Sequence, residues 1–218
     1  MCFDLFLNKE QCNHVIDLID GKIQKSDLLA ELSEWSKTEF GIDILDYVCD
    51  TTENELTRLV IVVWNYFDMR SFMDEYNYDK NKQILIRNKF SALAQKYRIH
   101  REYQNPAKIF VCYDIIADEV RKEILEKSTN ELLALKTEDI WNIIICSESI
   151  HIFYETDQQI KDHEADGFSK KLKEMSSQIV REYDNHNVLF RGVPCKFTSH
   201  QIFDEVYRGN WQYYYQDN

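Results

Sequence analysis

"TTENELTRLVIVVWNYFDMRSFMDEY", residues 51–76, decides which half of this chain carries the sheet. Thr52 and Glu55 stand in capping-box spacing. Leu56, Leu59, Val60, Val63 and Phe67 then follow the helical period. The middle, "LVIVVW", is apolar on nearly every side, as either a central buried helix or a buried strand would be. Its length and its cap favour the helix, with a strand as the alternative.

Upstream, Ser26 can cap a helix whose Leu28, Leu32, Trp35 and Phe40 share a face, with Gly41 as the stop. Downstream, "KNKQILIRNKFSALAQKYRIHR" (80–101) carries seven Lys or Arg and no acid. On a helix, its Ile86, Phe90, Leu93 and Tyr97 fall within about 60° of one another, a core-facing stripe. Lys82, Lys89 and Lys96 line one flank of that stripe, and Arg87 and Arg98 the other. The first 105 residues therefore read as helical.

The remainder alternates. "KIFVCYD" (108–114) reads as a buried strand and "ADEVRKEILEKSTNELLAL" (117–135) as a helix with acids in its first turn. "IWNIIICSESIHIFYET" (140–156) reads as a hairpin turning at Ser147 and Glu148, with His151 on its solvent side. "GFSKKLKEMSSQIVREY" (167–183) is a helix whose buried face should be Phe168, Leu172, Met175, Ile179 and Tyr183. Short strands are expected at "NVLF" (187–190) and "PCKFTS" (194–199). A helix at "HQIFDEVY" (200–207) and a last strand at "NWQYYYQ" (210–216) complete the chain. The expectation is one α+β domain over 1–218. Its helical N-terminal layer (about 1–105) packs with a mixed or antiparallel sheet formed mainly after residue 105. No internal repeat stands out.

Only five glycines and two prolines among 218 residues argue against a turn-rich all-β fold. The opening "MCFDLFLNKEQC" lacks the layout of a secretory signal, and no apolar run reaches the ~18 residues of a membrane span. Six scattered cysteines without a CxxC pair read as free thiols in a reducing cytoplasm. Net charge is −12, distributed as −11 over 1–79, +7 over 80–101 and −8 over 102–218.

The five glycines stand too far apart for a phosphate cradle, and GxSxG and HExxH are absent. Six Cys and six His allow accidental nucleophile pairs, such as Cys195 with His200 or Cys146 with His151, and none is privileged. The densest run of ligand-type residues is "HIFYETDQQIKDHEAD" (151–166). His151, Glu155, Asp157 and His163 from it could hold a divalent metal and activate water, giving a metal-dependent hydrolase as the alternative function. The leading expectation is instead a non-enzymatic cytoplasmic protein-binding module without a cofactor. Its acidic surface would engage a basic protein partner, as inhibitors of the immunity type do. The expected contacts are Glu155, Asp157, Asp162 and Glu164, with the C-terminal aromatics Tyr207, Trp211, Tyr213 and Tyr215. The basic helix 80–101 is expected to pair with the protein's own acids. Nucleic acid is disfavoured by the overall negative field, and a membrane by the narrow apolar stripe.

Overall fold

The computed structural model describes residues 6–52, 55–75, 77–146, 149–189 and 192–218. Its fold is α+β, and the chain forms two compact units, residues 1–118 and 119–218.

The first unit opens with α1 (Lys9–Ile19), started by a reciprocal Asn8–Gln11 capping box. Helix α2 (Asp27–Phe40) is capped by Ser26 and ends at a left-handed Gly41, φ 73°, as its sequence signals require. Strands β1 (Asp46–Thr51) and β2 (Thr57–Val63) come next, then α3 (Tyr66–Arg70), α4 (Lys80–Lys96) and β3 (Ile109–Ile115). Strand β2 is central, antiparallel to β1 and parallel to β3.

The helix expected over residues 51–76 is thus a correction: its apolar centre is a strand. Leu59 to Val63 are at most 2% exposed, so both faces of β2 are covered. A strand buried on both faces loses its apolar–polar alternation, and its Val-Ile-Val-Val run then imitates a helix buried on all sides. One face packs with Leu32, Ile44, Phe72, Phe90 and Tyr113 into the unit's core. Helix α4 presents Ile86, Phe90 and Leu93 to that core as its period requires, with Tyr97 half-buried.

The second unit contains β4 (Ile140–Cys146), β5 (Ser149–Tyr154), α6 (Asp157–Ala165), α7 (Phe168–Tyr183), β6 (Cys195–Ser199), α8 (His200–Tyr207) and α9 (Trp211–Asp217). Helix α5 (Ala117–Leu133) begins in the last two residues of the first unit and otherwise belongs to the second. Strand β5 is central, antiparallel to β4 and parallel to β6. Each unit therefore has the order β-β-α-α-β, with a hairpin followed by a helical crossover to a parallel third strand. The architecture repeats although no sequence repeat announces it.

Three further expectations are corrected here. The stretch expected as a last strand is instead α9 (Trp211–Asp217), because Asn210 caps a helix there by accepting from the N–H groups of Gln212 and Tyr213. Asn187, Val188 and Leu189 form no strand; the rest of "NVLF", Phe190, lies outside the described residues, as do Ser147 and Glu148 of the hairpin turn. Helix α7 buries Ser169, Leu172, Ser176 and Val180, which rotates the expected face by about one residue. Among the described residues no helix is long and apolar enough to cross a membrane.

Candidate partner-binding face

Parallel strands β5 and β6 end side by side, so the segments leaving them meet at one end of the sheet. Glu155 comes directly after β5, and Thr156 caps α6 through a capping box with Gln159. Ser199 ends β6 and caps α8, accepting from the Ile202 N–H at 2.9 Å. Its hydroxyl also donates to Asp157, which ties the two strand ends together. The first residue of α8, His200, lies between two carboxylates, Glu155 at 3.5 Å and Asp204 at 3.3 Å.

The His200 ring stacks on Trp141, with centroids 3.9 Å apart and planes 9° from parallel. Trp141 lies where the β4–β5 register slips between Ile140 and Asn142. Such a bulge re-aims the side chain at the extra residue. Trp211 of α9 continues the row at 6.0 Å and 7° from Trp141, and Tyr215 extends it at 5.9 Å and 30°. Four near-parallel rings thus run from His200 to Tyr215, backed by buried Phe153, Phe203 and Tyr214. A helical turn makes this possible, since Trp211 and Tyr215 stand four residues apart on one face of α9.

Of the sequence-expected contacts, the structure brings Glu155, Trp211 and Tyr215 to this face. Asp157 lies at its edge, bonded to Ser199. Tyr207 packs edge-on against Tyr214 at 5.0 Å, behind the row. Tyr213 is 52% exposed on α9. Asp162 accepts from Gln158, and Glu164 lines a separate groove with Lys170, Lys173 and Lys196. Sequence reasoning missed Trp141, His200 and Asp204. The i, i+4 spacing of His200 and Asp204 on a helix was a legible signal; the bulge at Trp141 was not.

The four residues of the expected metal set do not meet. His151 is 2% exposed, not on the solvent side, and bonds Tyr214 Oη at 2.6 Å and Ser149 Oγ at 2.8 Å. His163 lies by Asp166 and Asp139, and Asp157 is held by Ser199. Among the described residues no group of three His, Cys, Asp or Glu could hold a metal ion. The cysteine pairs fare no better as nucleophiles. Burial pushes the Cys195 thiol up to about 11, which leaves little thiolate near neutrality, and His151, the partner offered for Cys146, is bonded instead to Ser149 and Tyr214.

One lysine row of the basic helix α4 is bonded within its own unit. Lys89 and Lys96 both reach Glu31 of α2, where Tyr97 Oη adds a hydrogen bond of 2.9 Å. The Lys96 and Tyr97 hydrogen bonds hold the Glu31 carboxyl down at about 2. Lys82 donates to the Ser71 carbonyl at 2.7 Å and lies 3.8 Å from Asp79. Reversing Lys82, Lys89 and Lys96 to Glu should lower the denaturation midpoint more than reversal of three exposed lysines elsewhere, such as Lys122, Lys136 and Lys161. Added salt should restore part of the difference by screening. Equal midpoints at low salt would reject self-pairing.

Neither a scan of protein-family models nor a comparison with curated proteins finds a match to this chain.

Proposed function

We propose that this chain is a non-enzymatic, cytoplasmic protein-binding module that takes a basic protein partner on the ring row of its second unit, as an immunity-type inhibitor takes a basic toxin. The observation that carries the reading is the row His200–Trp141–Trp211–Tyr215 beside the carboxylates of Glu155 and Asp204. A guanidinium or ammonium group is attracted to an aromatic face and to a neighbouring carboxylate together. Tyr and Trp also supply large contact area at low entropic cost, which is why they dominate binding hot spots. Each unit has six more acids than bases, 20 against 14 in the first and 18 against 12 in the second. That excess steers a cationic partner toward the molecule at low ionic strength.

The test begins with chemical cross-linking in the native host and identification of the captured protein. The purified partner is then titrated against the wild type, Tyr215→Ala and the double variant Glu155→Lys/Asp204→Lys. A basic partner is expected, with affinity that falls as salt rises. The double reversal should weaken it by about tenfold or more. A captured partner that is acidic, or one that binds the double variant as tightly as the wild type, would overturn the reading.

A further inference from the structure

In the first unit, α1, the start of α2 and β1 enclose a cleft of about 550 Å3, a size that suits a small organic molecule. Glu10 and His14 stand on its α1 side with Leu18, Leu29 comes from α2, and Asp46 and Val48 come from β1. Strand β1 is the sheet edge, so this wall of the cleft is not covered by another strand.

Asp46 is the unusual member of the lining. It is only 8% exposed. Its Oδ1 accepts the Tyr47 N–H at 2.8 Å, but among the described residues Oδ2 accepts no hydrogen bond. The nearest basic side chain to Oδ2 is His14, whose Nε2 stands at 3.7 Å, beyond hydrogen-bond reach, on a side chain that is 57% exposed. Lys25 lies close enough to act on Asp46, yet its ammonium is bound by Asp43, Ser33 Oγ and the Ile44 carbonyl. Burial raises the Asp46 carboxyl above its ordinary range, and the Tyr47 N–H bond with the fields of His14 and Lys25 offsets this only in part. A carboxylate oxygen that carries no hydrogen bond at the wall of a cleft is an open acceptor, and its natural complement is a cation carrying N–H groups.

We propose that this cleft is a binding site for a small organic cation, an amine or guanidine that bonds Asp46 Oδ2 while its apolar body lies along Leu18, Leu29 and Val48. The charges around the site agree. Glu10 adds a second carboxylate at the mouth, and no lysine or arginine is among the described lining residues. The start of α2 does not favour an anion instead, because Ser26 Oγ accepts the Leu29 N–H and Asp27 already supplies negative charge to that turn. A metal ion is a poor fit to a single buried carboxylate and one exposed imidazole. The site belongs to the first unit and the partner face to the second, so the two are tested separately.

The experiment is isothermal titration of the full chain with tyramine and putrescine, each against the anion of matching shape, para-hydroxyphenylacetate and succinate. Saturable binding of at least one amine is expected, and none of either anion. Asp46→Asn keeps the acceptor for the Tyr47 N–H, so it should fold, and it should weaken amine binding at least about tenfold. Glu10→Lys, on an exposed position at the start of α1, should weaken it severalfold without touching the interior. The proposal is overturned if neither amine saturates, if the anions bind equally well, or if both variants bind like the wild type.

Discussion

Leu172→Ala is expected to destabilise the second unit by about 2–5 kcal/mol, and Met175→Ala, three residues along the same helix, by well under 1 kcal/mol. Leu172 is 3% exposed, so its truncation removes buried apolar surface and leaves a cavity. Met175 is 39% exposed and already in solvent. The contrast comes from the face that α7 buries: Ser169, Leu172, Ser176 and Val180. Two serines on that face let the helix come close to its neighbours, and Ser169 Oγ is paired with Tyr154 Oη at 2.8 Å. Chemical denaturation of both variants, monitored by far-ultraviolet circular dichroism, decides the matter. An unchanged midpoint for Leu172→Ala, or equal losses in the two variants, would mean that the buried face has been misplaced.

The same helix shows what the sequence could reveal and what it could not. Apolar periodicity located α7 and its Leu172, but it scored buried serines as solvent-facing and half-exposed Met175 as core. Hydrophobicity alone cannot distinguish a small polar residue at a close helix approach from one in water. Residues 57–63 failed for a related reason, since a strand covered on both faces has no alternation to read. Where a cap or a charge pattern was local, the reading held: Ser26 and Gly41 bound α2, and Lys89 and Lys96 pair within the chain. The candidate face was legible only in pieces. Glu155, Trp211 and Tyr215 were visible as residue types, but their convergence depends on the parallel β5–β6 pairing and on a bulge at Trp141. Asp46 gave no signal at all, because a carboxylate becomes unusual only through burial.

Acidification from pH 7 to pH 4 is expected to weaken the second unit by about 3 kcal/mol through His151 alone. His151 sits mid-way along the central strand β5, opposite Ile144 on one side and Lys196 on the other. The hydroxyl of Ser149 donates its only proton to the Cys146 carbonyl at 3.0 Å. It must therefore accept from His151 Nε2–H, and His151 Nδ1 in turn accepts from the Tyr214 hydroxyl at 2.6 Å. Every polar atom of the neutral ring is satisfied. A second ring proton would face the Tyr214 hydroxyl donor and place a charge in a buried site near Lys196. Burial above all, with Lys196 adding to it, thus lowers the His151 imidazole to about 4. In the unfolded chain a histidine titrates near 6.5, so between those two values the unfolded state binds more protons. Stability is then complete above pH 6.5 and falls as the pH drops toward 4, at about 1.36 kcal/mol per unit. His151→Gln can replace both hydrogen bonds without titrating. Subtracting its unfolding free energy from that of the wild type at each pH should give a curve that falls by about 3 kcal/mol between pH 7 and 4. A flat difference curve would show that His151 is not held neutral by the fold.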